Sequence, residues 1–228
     1  GSVDKIPFAE LLREVHAIDE VEKISFISSN PFDFTQDLID TLVLPKIDPY
    51  LHMAVQSGDN EILKRMNRRH TIEEFKELIT KIKEKNPEMT FGTDIIVGFC
   101  GETEGQFQDT VDLYKQCDFD IAYLAEYSTR SGTTADKAFK DDVPQKEKKR
   151  RWQVLQDLME ETTLRKNQKF VGKTVSVLVD KCEDGVCVGN SNEMKMASFA
   201  GSSDLIGKVI DVRIIEAKEW ILCGVKSS

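Results

Sequence analysis

The chain has 228 residues, of which 40% are hydrophobic and 31% are charged, and its net charge is −9. This composition is ordinary for a folded globular protein and argues against a disordered chain. The charge argues against indiscriminate nucleic-acid binding, and the apolar runs are too short to span a bilayer, so we expect a cytoplasmic protein with no membrane partner.

The first half of the chain alternates predicted helices and strands. Apolar residues at helical spacing, β-branched runs and turn formers give the bounds of each element. In chain order the patterns predict a helix over 8–18, a strand over 23–28, a turn and helix over 30–42, a strand over 50–55, a short helix over 61–67 and a helix over 71–85. Thr71 and Glu74 have the spacing of a capping box, which indicates that the last of these helices begins there.

The same alternation continues to about residue 169. The patterns predict a strand over 89–98, a helix over 104–117, a strand over 119–127 and, after a polar loop, a helix over 144–169. Thr103 and Gln106 form a second candidate capping box. Strands that alternate with helices of ten or more residues are typical of βαβ units, so we expect an α/β domain around a parallel sheet.

From about Gly172 the pattern changes to short strands separated by Gly, Asp and Asn turns. This pattern predicts a small all-β unit, a five-stranded barrel, and we place the domain boundary between residues 1–171 and 172–228. Residues 1–167 carry the whole net charge of −9, whereas residues 168–228 hold 8 basic and 8 acidic side chains. The second unit is therefore the less repulsive surface for a polyanion.

Five cysteines are scattered along the chain, at Cys100, Cys117, Cys182, Cys187 and Cys223. Their odd number and wide spacing argue against a disulfide framework. Since no two are separated by only two or three intervening residues, they do not form a local metal or iron–sulfur motif, and we predict no metal ligands. We expect Cys182 and Cys187 to lie close across a hairpin turn, as small buried hydrophobic residues.

Polar or glycine residues follow each predicted strand of the α/β part. In parallel α/β folds ligands bind where the strands end, and glycines there let the backbone approach a ligand closely. A plain turn explains any one of these loops, but all four together favour a ligand site. The loops contain Ser28–Asn30, Gln56–Gly58, Gly98 with Gly101–Thr103, and Ser128–Arg130.

Asp94 lies inside the strand over 89–98, where an unpaired carboxylate would be costly to bury. It either pairs with a neighbouring Arg or faces the interior near a ligand. A dense cationic cluster follows the Gln56 loop and is either a solvated helix face or a clamp for an anion. The cluster comprises Lys64, Arg65, Arg68, Arg69 and His70.

Two further sets of charged or titratable residues receive structural interpretations. The basic run KEKKRR over 146–151 is interpreted as the solvated side of a helix. His16 and His52 have no metal-ligand companions at useful spacing, so we interpret both as structural.

Four long stretches together resemble the radical-SAM methylthiotransferases, most of all the MiaB-type branch that acts on tRNA. The resemblance runs from about Ile6 to the end of the chain, with the motifs in the family's order. The stretches are YLHMAVQSGDNEILKRMNRRHT, TDIIVGFCGETEGQF, YSTRSGTTADK and DLIGKVIDVRIIEAKEWILCG.

The resemblance implies a partial TIM-like (β/α) barrel followed by a TRAM domain, a small OB-like β-barrel that binds RNA. It implies reductive cleavage of S-adenosylmethionine at a 4Fe-4S cluster and insertion of a methylthio group at C2 of an isopentenyl-modified adenosine. That adenosine lies next to the anticodon, so the expected partner is the tRNA anticodon stem-loop. The reductant and the sulfur donor stay unspecified.

The resemblance also places residues around S-adenosylmethionine. Gln56, Ser57 and Gly98 fall where such barrels hold its nucleoside and methionine parts, and Arg65 or Arg68 would pair with its carboxylate. Asp94 and Arg130 complete the predicted cofactor-binding set, and no catalytic residue is assigned. The glycines after Val97 are predicted to let the adenine lie against backbone, with Glu102 orienting the turn.

Departures from the family pattern limit what this chain does alone. The CxxxCxxC motif that holds the cluster is absent from the sequence, so we expect a C-terminal fragment that is inactive by itself. Two alternatives stay open: an enzyme acting on threonylcarbamoyladenosine in tRNA, and a non-catalytic RNA-binding remnant. Residues of other types stand where the family usually has Pro, at Ala54, Cys100, Thr129, Ser131 and Thr134.

Overall fold

The structure is a computed structural model that describes residues 7–27 and 30–227. The chain divides into two compact units, the first ending at Gln153 and the second beginning at Val154. This division falls inside a long helix, and the domain boundary predicted at 171/172 stays a prediction.

The first unit contains a three-stranded parallel sheet and the helices that connect its strands. The strands are β1 Tyr50–His52, β2 Thr90–Val97 and β3 Ile121–Glu126, in the order β1-β2-β3. The helices are α1 Phe8–His16, α2 Gln36–Thr41, α3 Asn60–Arg65, α4 Ile72–Lys85, α5 Glu104–Cys117 and α6 Thr134–Ala138, and α7 Gln145–Asn167 begins in this unit. The predicted parallel α/β organisation is confirmed.

One face of the sheet forms the core of this unit. Phe91, Ile95 and Val97 of β2 all point to that face and are almost wholly buried, since alternate residues of a strand share a face. Phe119, just before β3, contacts Phe75 of α4, with ring centroids 6.1 Å apart. The opposite face carries polar residues and is open in this chain.

Both predicted capping boxes are present. The Thr71 side chain accepts a hydrogen bond from Glu74 N, and the Glu74 side chain accepts one from Thr71 N. Thr103 and Gln106 make the same reciprocal pair at the start of α5. These contacts satisfy backbone N–H groups that a helix leaves unpaired in its first turn.

The strand predicted over 23–28 is wrong for its described residues. Only Ile24 pairs with a neighbouring segment, through an isolated bridge to Ile47, and residue 28 lies outside the described residues. Ile24 and Phe26 instead pack into a small cluster with Ala9 of α1. The β-branched pattern therefore reflects local burial, because no neighbouring strand extends the ladder.

The second unit is a closed barrel of five strands, as predicted. They follow the order β4-β5-β6-β8-β7, with the bounds β4 Thr174–Glu183, β5 Val186–Ser191, β6 Met196–Ala200, β7 Val209–Ala217 and β8 Leu222–Lys226. Side chains that alternate along these strands fill the barrel interior, among them Val177, Val212, Ile214 and Leu222.

Asn167 links the end of α7 to the barrel. Its side-chain amide donates hydrogen bonds to the carbonyl oxygens of Lys218 and Glu219, at 2.9 and 3.0 Å. Those carbonyls belong to the turn between β7 and β8. This contact therefore holds the C-terminal end of α7 against the barrel within the second unit.

The interpretation of Cys182 and Cys187 as small buried hydrophobic residues without a disulfide is wrong. The two residues stand directly opposite each other in the β4–β5 hairpin and form a disulfide. Directly paired positions in an antiparallel ladder bring Cβ atoms close enough for such a bond. The predicted proximity across the turn is confirmed.

Candidate functional site at the strand ends

A β-bulge shapes the chain that follows β1. His52 pairs with Gly92, and Gln56 forms a bridge to Ile95. The first segment therefore advances four residues where β2 advances three, which leaves one extra residue in the bulge. The hydroxyl of Thr93 fills the gap by donating to the Met53 carbonyl at 2.7 Å. Bulges of this kind redirect side chains and are common beside functional sites.

Gln56 and Ser57 lie at the end of this bulge. Gln56 has a φ of 72°, a left-handed conformation that is uncommon for a residue with a side chain, and it is buried. Ser57 is fully buried, and its hydroxyl accepts a hydrogen bond from Asp59 N and lies 3.5 Å from the Thr110 hydroxyl. Its side chain therefore holds the turn against α5.

The loop after β2 is organised by Glu102. One carboxylate oxygen, Oε2, accepts hydrogen bonds from Gly98 N and from Arg151 Nη1, each at 2.7 Å. Burial raises the pKa of Glu102, and the hydrogen bonds from Gly98 and Arg151 oppose that rise. The predicted role of Glu102 in orienting the turn is confirmed.

Gly98 accommodates a lysine side chain. Its φ is 71°, and a Cβ added there would overlap the Cγ of Lys148. Lys148 is buried, and its ammonium group donates to Asp141 Oδ1 at 2.7 Å and to the Tyr127 carbonyl at 2.9 Å. Packing by Lys148 thus explains Gly98, while the predicted contact with an adenine stays a prediction.

The interpretation of the 146–151 run as a solvated helix face is wrong for two of its members. Lys148 and Arg151 are buried and hold the loops after β2 and β3, whereas Arg150 stays partly exposed beside Glu147 and Glu104. Residues 148 and 151 lie one helical turn apart and share one face of α7, so sequence composition alone hides the division.

Arg65 contacts the same loop from α3. A side chain at Gly101, whose φ is 69°, would come within 2.8 Å of Arg65 Nη1. The guanidinium also lies over the Phe139 ring, 4.7 Å from its centroid, and Gly101 N donates to Asp142. Arg65 therefore lies beside the loop after β2, and its pairing with the cofactor's carboxylate stays a prediction.

The rest of the cationic cluster points in different directions, so the five residues do not form one clamp. Arg69 lies over the Phe32 ring, 5.3 Å from its centroid. His70 is buried, which lowers its pKa, and it bonds to the backbone of Val55. Arg68 buries Nε without a hydrogen-bond partner among the described residues.

Asp94 stands on the open face of the sheet and pairs with a histidine. His52 Nε2 lies 2.9 Å from Asp94 Oδ2, so of the two sequence interpretations the pairing with Arg is wrong. Tyr50 Oη lies 3.2 Å from His52 Nδ1, which makes a hydrogen-bonded chain of three side chains. Burial raises the pKa of Tyr50, which keeps its hydroxyl protonated at neutral pH.

A cavity of about 280 Å³ lies at the ends of β2 and β3. Arg130 and Ser128 contribute polar groups to its wall, and Ile96, Ala125 and Tyr127 contribute apolar surface. A second cavity, of about 330 Å³, lies beside Phe32 and α4 and shares no lining residue with the first. The strand-end cavity has the mixed lining typical of small-molecule sites.

The structure thus brings most predicted site residues to the carboxyl ends of the strands. Gln56 and Gly98 follow β1 and β2, Asp94 lies within β2, and Arg65 ends α3 while Arg130 lies in the loop after β3. Sequence reasoning missed Tyr50, Tyr123, Lys148 and Arg151. The spacing of Tyr50 and His52, two residues apart on a strand, was a usable signal for the first. Ser28 and Ser29 of the first predicted loop lie outside the described residues.

An iron–sulfur cluster does not fit the side chains of residues 7–27 and 30–227. No three His, Cys, Asp or Glu groups in these ranges gather into a metal site. Cys100 and Cys117 are buried in separate places, and burial raises the pKa of Cys117 to about 11. In the described part of the chain, no helix is both long and apolar enough to cross a membrane.

Comparison with known families matches both units. The sequence model of the Radical SAM superfamily matches residues 3–114, and that of the TRAM domain matches residues 168–226. Coproporphyrinogen III oxidase from Escherichia coli, described as a radical SAM enzyme, has a similar fold, with a TM-score of 0.53 over 68% of this chain and 36% of that one, at 21% identity. The predicted fold class, a partial radical SAM barrel followed by a small β-barrel, is confirmed.

Two bacterial proteins illustrate the sequence relatives. The tRNA-2-methylthio-N(6)-dimethylallyladenosine synthase of Clostridium botulinum strain Okra is 40% identical over 96% of this chain and 50% of its own length. The protein of the same name from Acetivibrio thermocellus is 42% identical over 97% of this chain and 47% of its own length. The chain spans about half the length of these relatives. It contains a Radical SAM segment followed by a TRAM domain, and nearly its whole length is similar to these synthases.

Proposed function

We propose that this chain is part of a tRNA methylthiotransferase that modifies an adenosine beside the anticodon. The reaction would insert a methylthio group at C2 of the isopentenyl-modified base by radical S-adenosylmethionine chemistry. The similarity to the tRNA-2-methylthio-N(6)-dimethylallyladenosine synthases extends over 96–97% of the chain and covers both domain matches. The observation that carries the proposal is the cavity at the strand ends, beside the loops that hold the family motifs.

S-adenosylmethionine would be bound by groups on those loops. Gln56, Ser57 and Gly98 would hold its nucleoside and methionine parts, with Arg130 in the cavity wall. Arg65 or Arg68 would pair with its carboxylate, since a guanidinium matches a carboxylate well. The left-handed backbone at Gln56 and the unpartnered, buried Nε of Arg68 support a ligand in this region. When bound, this cofactor supplies the radical chemistry that activates an unreactive C–H bond.

The 4Fe-4S cluster that the family uses is not assigned to this chain. The described residues do not fit it, so its ligands would lie in the remainder of the protein, as the relatives' greater length allows. The chain's own contribution is then to bind and orient the cofactor and to exclude water from the cavity.

The barrel would contact the tRNA, with the anticodon stem-loop as the predicted partner. Arg213, Lys226 and Trp220 are exposed side chains of this unit. Basic side chains contact phosphates and an exposed aromatic ring stacks on an unpaired base. A tRNA substrate would place the protein in the cytoplasm.

Analysis of tRNA nucleosides in cells lacking the gene tests this proposal. We expect the 2-methylthio form of the isopentenyladenosine to disappear and the unthiolated nucleoside to accumulate by mass spectrometry. Re-expression of the complete gene restores the product. Accumulation of unthiolated threonylcarbamoyladenosine would instead favour the other substrate, and unchanged tRNA would favour the non-catalytic alternative.

A further inference from the structure

A fixed carboxylate lies on the open face of the sheet. Asp94 takes a hydrogen bond from His52 Nε2, and His52 Nδ1 meets the hydroxyl of Tyr50. Both ring nitrogens are engaged, so the imidazole has one orientation: Tyr50 donates to Nδ1, and Nε2–H donates to the Asp94 carboxylate. Asp94 Oδ1 receives no hydrogen bond from the described residues, and the side chain is 41% exposed.

The backbone beside this chain of side chains is adapted to it. A Cβ at Gly92 would overlap the Tyr50 hydroxyl and come within 2.9 Å of His52 Nδ1. Any residue other than glycine would therefore displace the pair that orients Asp94. A carboxylate held this tightly, with one oxygen left open, is a ready acceptor for a ligand N–H.

An exposed aromatic ring lies next to the carboxylate. Tyr123 pairs directly with Asp94 across β2 and β3, is 58% exposed, and has its ring centroid 5.4 Å from that of His52. A stacking ring with an adjacent hydrogen-bond acceptor is how proteins recognise an unstacked nucleobase.

The neighbouring pair on the same face leads into the strand-end cavity. Ile96 and Ala125 are paired two residues beyond Asp94 and Tyr123, and both line that cavity. The two positions are therefore about 7 Å apart along the strands. A base over Tyr123 would lie beside a ligand held in the cavity.

We infer that Asp94 and Tyr123 form a subsite for the substrate nucleobase. Tyr123 stacks on the ring, and Asp94 Oδ1 accepts a hydrogen bond from an N–H of the base. His52 and Tyr50 are positioning residues that hold the carboxylate. This assignment rests on the proposed function, and it moves Asp94 from the cofactor to the substrate.

Calorimetric titration of the full chain with N(6)-dimethylallyladenosine tests the subsite, with S-adenosylhomocysteine present at saturation to occupy the cofactor cavity. We expect Asp94→Asn and Tyr123→Ala each to weaken nucleoside binding at least about tenfold. Tyr123→Phe keeps the ring and retains affinity. Asp112→Asn, an exposed change on α5, is the matched control.

A separate titration with S-adenosylhomocysteine distinguishes failure of the nucleobase subsite from failure of the proposed function. Unchanged affinity for it in all four variants supports the assignment to the substrate. The subsite is overturned if Asp94→Asn weakens the binding of S-adenosylhomocysteine and leaves the affinity for the nucleoside unchanged. It is also overturned if the wild-type chain binds no nucleoside. Failure of the wild-type chain to bind S-adenosylhomocysteine would contradict the proposed function itself.

Discussion

Arg151 and Glu102 form a 2.7 Å salt bridge in which the side chains are only 5% and 1% exposed. The same carboxylate oxygen binds Gly98 N, so one buried pair joins α7 to the loop after β2. Removing one member of a buried pair leaves an uncompensated charge, which is more costly than losing an exposed pair.

Arg151→Met should therefore destabilise the first unit by about 3–5 kcal/mol. The neighbouring Arg150→Met is the control, because Arg150 is 45% exposed and its partners are exposed or half-buried. Urea unfolding followed by circular dichroism measures both changes. Equal losses of unfolding free energy in the two variants would show that the buried Arg151–Glu102 pair contributes no more to stability than the exposed Arg150 pairs.

Glu147 makes the free energy of unfolding depend on pH in the acid range. Its hydrogen bond with Arg150, helped by Arg151, lowers its pKa from 4.5 to about 2. A lowered pKa means that the folded state favours the carboxylate, so the contribution is full above about pH 4.5 and is lost as pH falls toward 2. Burial raises the pKa of Glu102 above its usual value of 4.5. The folded state therefore favours the protonated form, and this contribution to the unfolding free energy is lost as the pH rises.

Comparing unfolding free energies of wild type and Glu147→Gln between pH 2 and 6 isolates this contribution. We expect the two proteins to differ most at pH 6 and to converge toward pH 2. Glu84→Gln, on the exposed side of α4, is the control. A constant difference across the range would refute the assigned cause.

Gly98→Ala tests the packing of the strand-end loop. The left-handed backbone costs a residue with a Cβ about 1–2 kcal/mol, and overlap with Lys148 adds to it. Gly105→Ala is the comparison, since a Cβ there meets only Thr103 Oγ1 at 4.0 Å and helix α5 favours Ala. We expect a lower thermal midpoint for the first variant and an unchanged or higher one for the second.

Local signals predicted much of this fold because they act within a few residues. The capping boxes at Thr71 and Thr103 depend on side chains three positions apart, and both formed. The five-stranded barrel followed from alternation and turn residues alone. By contrast, the segment at Ile24 has the composition of a strand but lacks a neighbour to pair with along its length.

The candidate site was only partly predictable, because its contacts join residues far apart in the chain. Glu102 binds Arg151 from 49 positions away, and His52 binds Asp94 from 42. Composition suggested solvated lysines and arginines in α7, since it contains no information on which helix face meets the loops. The bulge at Gln56 was hidden as well, because Thr93 supplies its hydrogen bonds through a side chain.

RNA binding by the barrel should depend on exposed basic and aromatic residues. We expect Arg213→Ser with Trp220→Ser to weaken tRNA binding and to reduce the dependence of affinity on salt by about one counterion. Filter binding from 50 to 300 mM KCl measures both. Lys115→Ser on α5 is the control. An unaltered salt slope in the double variant would assign tRNA contact to other residues.

Binding of S-adenosylmethionine in the strand-end cavity is the central requirement of the proposed function. Filling it with Ala125→Trp should abolish binding of S-adenosylhomocysteine in a calorimetric titration, because the indole would occupy the space beside Ile96 and Arg130. Ala200→Trp, at an exposed barrel position, should bind like wild type. Undiminished binding by a correctly folded Ala125→Trp protein would contradict the account.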